Sequence, residues 1–118
     1  MPGRLTTHVL DTARGAPAAG LRLALYALDG EARRRLVETT TNADGRTGVP
    51  LLDGTAMKAG RYEIVFELGA YFRAAGIALA EPPFLDAVPV RFAIADAAAH
   101  YHVPLLASPW SYTTYRGS

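Results

Sequence analysis

The sequence predicts an all-β fold, an antiparallel sandwich of two sheets, on three observations. Short runs of alternating apolar and polar residues recur along the chain, which is typical of half-buried strands. Turn signals such as Asp29–Gly30 and Asp53–Gly54 separate these runs at intervals of roughly ten residues. Residues 70–75 are the one short helical candidate. About eight short strands with a single helical turn are the pattern of a β-sandwich.

Three strands are predicted in the first half of the chain. Residues 5–10 are rich in Thr and Val, and alternation puts His8 on one face together with its even-numbered neighbours. Residues 21–28 form the second strand after a loop punctuated by glycine and proline. The third covers residues 36–41 and follows an arginine run at 33–35, which we expect to be exposed.

The second half supplies the helix and the remaining strands. Residues 61–68 are the clearest half-buried strand, because apolar and polar side chains alternate through the whole run. The helix at 70–75 is expected to close at Gly76, since glycine favours the C-terminal cap. Residues 88–94 form another alternating strand, and the tail after residue 100 reads as two more.

Composition limits the class of protein. The 118 residues predict one domain, 1–118, long enough to bury a core without disulfides or metals. A net charge of +1 gives no reason to expect nucleic acid or an anionic membrane as a partner. The lack of cysteine excludes a disulfide framework, a thiolate nucleophile and Cys-ligated zinc. With no apolar leader and no apolar run of about 20 residues, we expect a soluble cytoplasmic protein.

The C-terminal tail, residues 100–118, concentrates side chains that can do chemistry. It holds two of the three histidines, and His100 and His102 point to the same face of an extended segment. Beyond the Ser108–Pro109 break, alternation separates two tyrosines. Tyr112, which shares a face with Trp110, is expected in the core, and Tyr115 is expected at the site.

The sequence contains no phosphate loop, dinucleotide glycine set, G-x-S-x-G elbow or zinc-protease helix. The histidines are then the main candidates for chemistry, either as acid–base catalysts or as metal ligands. Imidazole is suited to acid–base catalysis near neutral pH. Alternatively, His8, His100 and His102 could bind zinc, although the tail offers no carboxylate to complete or orient such a site. His8 by itself is more often a structural residue. Arg46, after the turn at 43–45, is either a surface residue or a donor fork for an anionic or carbonyl-rich ligand.

A polar face of this kind must be an outer face, because a small sandwich fills its interior with side chains. Such a face becomes a secluded pocket only when something covers it. A second copy of the chain is the simplest cover, and a two-fold interface would supply each group twice.

Three segments carry a resemblance to a known family: THVLDTARGAPAAGL, TNADGRTGVPL and the tail YHVPLLASPWSYTTYRGS. Together they resemble the transthyretin-related 5-hydroxyisourate hydrolases over nearly the whole chain. The most specific part is the terminal tetrapeptide YRGS, Tyr115 to Ser118, which in that family separates the hydrolases from the hormone carrier transthyretin.

The resemblance implies a transthyretin-like sandwich of two four-stranded antiparallel sheets with one short helix. It also implies a homotetramer, a dimer of dimers with active sites in the channel between the dimers. The substrate would be 5-hydroxyisourate, whose six-membered ring water opens to give 2-oxo-4-hydroxy-4-carboxy-5-ureidoimidazoline, without a metal or an organic cofactor.

The family's catalytic positions correspond to His8, Arg46, His102 and Tyr115, and the role of His100 is less defined. His8 and His102 each remain a candidate for the general base and for the group that orients water or returns the proton. The same four residues and the rest of the tetrapeptide would bind the substrate: His8, Arg46, His102, Tyr115, Arg116, Gly117 and Ser118.

Three other functions compete with this one. A transthyretin-like carrier could bind a small aromatic ligand in the tetramer channel, because fold alone does not decide function. Such a carrier needs neither a pair of acid–base histidines nor the YRGS end. A zinc-dependent hydrolase would use the three histidines, and chelation would reveal it. An interaction domain without chemistry is the third.

Overall fold

The computed structural model describes residues 3–117. Its strands follow the chain as β1 (Arg4–Thr6), β2 (Val9–Asp11), β3 (Ala16–Pro17), β4 (Arg22–Asp29), β5 (Ala32–Thr40), β6 (Leu52–Asp53), β7 (Gly60–Glu67), β8 (Ala87–Ile94), β9 (Tyr101–His102), β10 (Leu105–Ala107) and β11 (Tyr112–Thr114). A 3₁₀ turn spans Gly54–Ala56, and the helix α1 covers Leu68–Ala74. No helix within residues 3–117 is long and apolar enough to cross a membrane.

One layer is a four-stranded antiparallel sheet in the order β5-β4-β7-β8. The predicted alternation builds its inner face: Leu23 and Leu25 of β4 lie opposite Phe66 and Ile64 of β7, and all four side chains are buried. Burying a large apolar side chain contributes roughly 1.5–3 kcal/mol relative to leaving it exposed. These side chains therefore contribute much of the free energy that holds this sheet against the core.

The other layer contains two interrupted strands. The predicted strand at 5–10 is divided into β1 and β2, and its partner is divided into β9 and β10. Pro104 lies in the second interruption and has no N–H to donate to a ladder. Backbone hydrogen bonds from Val103 N to Thr6 O (2.9 Å) and from Leu105 N to His8 O (2.9 Å) keep the two strands side by side across the break.

Because of these interruptions, the single four-stranded sheet implied by the resemblance is divided in two. A three-stranded part has the order β6-β1-β9, and a four-stranded part has the order β11-β10-β2-β3. Both β1–β9 and β2–β10 pair in parallel, so the sandwich is antiparallel except along this central seam. The seam brings the end of the chain beside its beginning.

The helix α1 begins at Leu68, before the predicted start at residue 70. Its first turn is held by Asp86, whose backbone oxygen accepts hydrogen bonds from Leu68 N (3.0 Å) and Gly69 N (3.1 Å). Gly76, with a φ of +86°, confirms the predicted C-terminal glycine. Phe72 anchors the helix, because its side chain is only 1% exposed in the core.

The arginine run at 33–35 lies in β5 and is exposed, as predicted, although the strand begins earlier than expected. Arg33 has a partner nevertheless. It donates to Glu63 Oε1 (3.0 Å) and lies 4.1 Å over the Tyr26 ring, while Arg91 donates to Glu63 Oε2 (2.8 Å). Two arginines thus compensate one buried carboxylate on the outer face of the first sheet.

Candidate active site

His8 lies at the interruption between β1 and β2, on the face opposite the buried Thr7 and Val9, as the alternation predicted. Its Nε2 is 2.8 Å from the backbone oxygen of Asp44. A carbonyl oxygen can only accept a hydrogen bond, so Nε2 must carry the proton. In the neutral ring this leaves Nδ1 as the atom with a free lone pair.

The turn that holds Asp44 also positions Arg46. Its residue Gly45 has a φ of +74°, and Gly45 O accepts a hydrogen bond from Val9 N (2.8 Å) in β2. Asn42 Oδ1 accepts from the backbone N–H groups of Asp44 (2.9 Å) and Arg46 (3.2 Å). The turn is therefore fixed both internally and to the strand next to His8.

His102 ends β9 and is half-buried. Its Nδ1 is 2.8 Å from Thr6 Oγ1 in β1, and His100 Nε2 is 3.2 Å from the same oxygen. Thr6 is the one residue in this arrangement that the sequence did not single out. Its place on the His8 face of the first predicted strand was the available signal.

Electrostatics link these groups. Burial lowers the pKa of His102 from its usual 6.5, and the positive charge of Arg46 lowers it further, followed by smaller effects of His8 and His100. His102 is therefore neutral at pH 7 and able to accept a proton. Arg46, His8 and His100 are therefore near enough to His102 to affect its protonation.

Two open clefts meet at the histidines. One, of about 440 Å³, has Arg4, Thr6, Arg46 and Val49 on its walls together with His100 and His102. The other, of about 760 Å³, is lined by His100, His102 and the tail residues Tyr115, Arg116 and Gly117. His8 lines neither cleft.

The tail is fixed directly against His102. Gly117 N donates to His102 O (2.7 Å), and a Cβ on Gly117 would lie 2.8 Å from His102 Cδ2. Arg116 lies 4.1 Å over the Tyr101 ring and donates to His100 O (3.2 Å). Arg116 therefore holds the tail in place in addition to lining the cleft. Ser118, the last of the predicted substrate-binding residues, lies outside the described residues.

The prediction for Tyr112 was wrong. Its side chain is 43% exposed, and that of its neighbour Trp110 is 66% exposed. Strand β11 is the edge of its sheet, and all three of its residues are exposed, so neither of its faces lies on the core of this chain. Tyr115, at 58% exposed, lines the larger cleft together with His100 and His102.

The three-histidine zinc site finds no support in the geometry. Within residues 3–117, no group of three His, Cys, Asp or Glu side chains could together hold a metal ion. What the arrangement offers is imidazole rings and a guanidinium near open clefts, and this combination suits proton transfer and stabilisation of a developing negative charge.

Comparison with known proteins assigns the family. The sequence profile described as HIUase/Transthyretin family matches residues 5–117. The chain belongs to this family. The match spans both layers of the sandwich and the tail.

Hydrolases within the HIUase/Transthyretin family are close relatives. The chain is 59% identical to the 5-hydroxyisourate hydrolase 2 of Rhizobium meliloti, over 98% of this chain and 97% of that protein. It is 62% identical to the 5-hydroxyisourate hydrolase of Mesorhizobium japonicum, over 98% of this chain and 93% of that protein.

Solved structures of the family include both a hydrolase and a carrier. The Klebsiella pneumoniae 5-hydroxyisourate hydrolase matches with a TM-score of 0.80 at 34% identity, over 98% of this chain and 99% of that chain. Sea bream transthyretin in complex with thyroxine matches with a TM-score of 0.85 at 28% identity, over 97% of this chain and 94% of that chain. The fold is common to both, and the sequence is closer to the hydrolase.

Proposed function

We propose that this chain catalyses the hydrolysis of 5-hydroxyisourate to 2-oxo-4-hydroxy-4-carboxy-5-ureidoimidazoline, a step of urate degradation. The observation that supports it most is the arrangement of His102, Arg46 and His8 around one region in a chain 59% and 62% identical to two such hydrolases over nearly full length. A carrier would have no use for two acid–base histidines and a guanidinium in this arrangement.

In the proposed mechanism His102 is the general base. Its lowered pKa keeps it neutral at pH 7, and its Nδ1 is engaged by Thr6 while its ring lines both clefts. His102 Nε2 would take a proton from water as the water oxygen attacks a ring carbonyl carbon. The protonated imidazole would then give that proton to the ring nitrogen as the carbon–nitrogen bond breaks.

His8 and Arg46 would orient and stabilise. Because Nε2–H of His8 is held by Asp44 O, only Nδ1 can accept a hydrogen bond from the water or the substrate. Arg46 would stabilise the negative charge that develops on the carbonyl oxygen during attack. The turn at 42–46 holds the His8 ring through Asp44 O and fixes the backbone from which the Arg46 side chain extends.

The tail would bind the substrate. Tyr115, Arg116 and Gly117 line the larger cleft with the histidines, and we place Ser118 with them as a binding residue on the resemblance alone. The ring of the substrate carries several carbonyl and N–H groups, which hydroxyls and backbone amides can recognise.

We further propose that the active form is a homotetramer, a dimer of dimers, in the cytoplasm. Exposed Trp110, Tyr112 and Tyr115 are grouped on and around the edge strand β11, and exposed Val49 lies on the wall of the smaller cleft. Large apolar side chains grouped on a surface favour association. Sedimentation velocity would test the tetramer and cell fractionation the location.

The decisive experiment follows the decay of 5-hydroxyisourate by stopped-flow absorbance. The substrate is generated in place by urate oxidase, with and without this protein, and with EDTA in a parallel run. We expect faster decay that survives EDTA. Decay at the spontaneous rate, from a folded tetramer, would refute the proposal and favour the carrier; loss of activity with EDTA would favour the zinc hydrolase.

A further inference from the structure

One hydroxyl lies between two imidazole rings. Thr6 Oγ1 is 2.8 Å from His102 Nδ1 and 3.2 Å from His100 Nε2, and it is partly buried where β1 pairs with β9. His100 and His102 are therefore joined by one atom of a residue that is distant from both in sequence.

The hydroxyl has a single proton, which restricts the possible arrangements. If Thr6 donates to one neutral ring, it must accept a hydrogen bond from the other. In the first arrangement His102 Nδ1–H donates to Thr6, and Thr6 donates to His100 Nε2. In the second, His100 Nε2–H donates to Thr6, and Thr6 donates to His102 Nδ1. The two arrangements place the proton of neutral His102 on different nitrogens.

We propose that Thr6 is a positioning residue that holds neutral His102 in the tautomer with Nδ1 protonated, with His100 as the acceptor that orients the Thr6 hydroxyl. This inference rests on the proposed function, because of the two arrangements in which Thr6 donates to a ring, only the first leaves His102 Nε2 free to take a proton from water. It also gives His100 a role without contact with the substrate.

The surroundings of His102 agree with this direction. Nδ1 of this ring contacts Thr6 Oγ1, whereas no side chain within residues 3–117 forms a hydrogen bond with Nε2. Because the His102 ring lines the cleft, Nε2 is the nitrogen available to water or substrate there. The cationic Arg46 opposes a positive charge on His102. When Nε2 is protonated in the reaction, the Nδ1–H bond to Thr6 becomes charge-assisted and stronger.

The tautomer can be read directly. The chain contains three histidines, so ¹⁵N spectra of the labelled protein, recorded above pH 7.5, report each ring separately. In the unaltered protein we expect His102 with Nδ1 protonated and Nε2 unprotonated. In T6V, which keeps the shape and removes the hydroxyl, we expect a mixture of the two tautomers and a kcat lower by about five- to tenfold, the factor a single neutral hydrogen bond supplies.

Two variants serve as controls. T6S retains a hydroxyl at the same position and should recover most of the activity lost in T6V. T7V removes the neighbouring hydroxyl, which donates to Val103 O (2.7 Å) on the buried side of the strand, and should leave the His102 tautomer unchanged. If residue 6 had only a structural role, the ¹⁵N spectra of T6V and T7V would show the same His102 tautomer.

Two results would overturn the inference. One is a neutral His102 protonated on Nε2 in the unaltered protein, which needs no variant to observe. The other is a folded T6V with the His102 tautomer and kcat both unchanged. Failure of the proposed function is seen separately, as absence of catalysis in the unaltered protein whatever its tautomer.

Discussion

Replacing Gly45 by alanine should damage catalysis although the residue has no side chain to touch the substrate, because Gly45 joins the turn at 42–46 to β2. With a φ of +74° it has a backbone conformation that costs an L-residue roughly 1–2 kcal/mol. A Cβ there would also collide with the Val9 carbonyl oxygen and lie 3.3 Å from both Ala18 N and His8 Cδ2. Forcing a methyl group into packed surroundings typically costs a further ~1–3 kcal/mol.

The expected loss of stability for G45A is therefore about 2–5 kcal/mol. The turn can lessen this cost only by moving away from β2, and Arg46 would move with it. A displacement of about 1 Å at a catalytic group can cost on the order of 10²-fold in rate. We expect kcat to fall by about that factor, measured by stopped-flow decay of 5-hydroxyisourate, and the urea midpoint to fall in parallel.

A matched control is G15A. Gly15 also has a positive φ, +66°, but a Cβ there would meet nothing within 4 Å. This variant should lose only the conformational contribution of about 1–2 kcal/mol and keep its kcat. Equal effects of the two substitutions on the urea midpoint, with kcat unchanged in both, would show that the contact between the turn and β2 does not position Arg46.

Three further predictions concern His102, Gly117 and Asp11. H102Q should lower kcat by about 10²–10⁴-fold while sedimentation shows an intact assembly, and near-normal turnover in that assembly would exclude His102 as the base. Because neutral His102 is the active form and its pKa is lowered, kcat should rise with pH through a value below 6.5 and then level off. The unfolded chain should bind this proton more readily than the folded one, so urea titrations should show the free energy of unfolding decreasing as pH falls below about 6.5. G117A should raise KM or lower kcat with little change in the urea midpoint, since the added Cβ would lie 2.8 Å from His102 Cδ2; unchanged kinetics would mean that the tail moves without affecting the ring. D11A should lower the free energy of unfolding, measured by urea titration, by about 1–3 kcal/mol and leave kcat unchanged. The buried carboxylate accepts hydrogen bonds from Tyr71 Oη (2.7 Å) and Arg14 Nε (2.9 Å), and none of these residues lines either cleft at the histidines.

Much of the fold was predictable because the alternation of apolar and polar residues in a half-buried strand is visible in its own sequence. The alternation in residues 61–68 and 88–94 identifies β7 and β8, and parity correctly placed His8 opposite the buried side chains of its strand. Gly76 marked the end of the helix for a local reason, its positive φ. Each of these features depends on residues that are neighbours in sequence.

The features that the sequence did not predict depend on residues that are distant in sequence. Parity says that Tyr112 and Tyr115 lie on different faces of a strand, but not whether either face is covered, and β11 is an edge strand with no layer over it. The parallel pairing of β1 with β9 joins residues that are 94 and 96 positions apart in the hydrogen bonds of Thr6. No local pattern predicts a contact of that range. Alternation could place Thr6 on the His8 face, but its hydrogen bonds to the two histidines required the three-dimensional structure.

The loop between β5 and β6 has little regular structure, yet it is tied to the second layer at three points. Gly45 O accepts from Val9 N, Asp44 O accepts from the His8 ring, and Leu51 N donates to Leu5 O, each at 2.8 Å. An inserted residue would break at least one of these bonds and shift Arg46 relative to His8. The exposed hairpin tip at Gly30–Glu31, between β4 and β5, has no such bonds to another element in the described part of the chain. During evolution or in design, the length of the chain can therefore change at that tip, whereas the irregular loop is fixed in length as strictly as any strand.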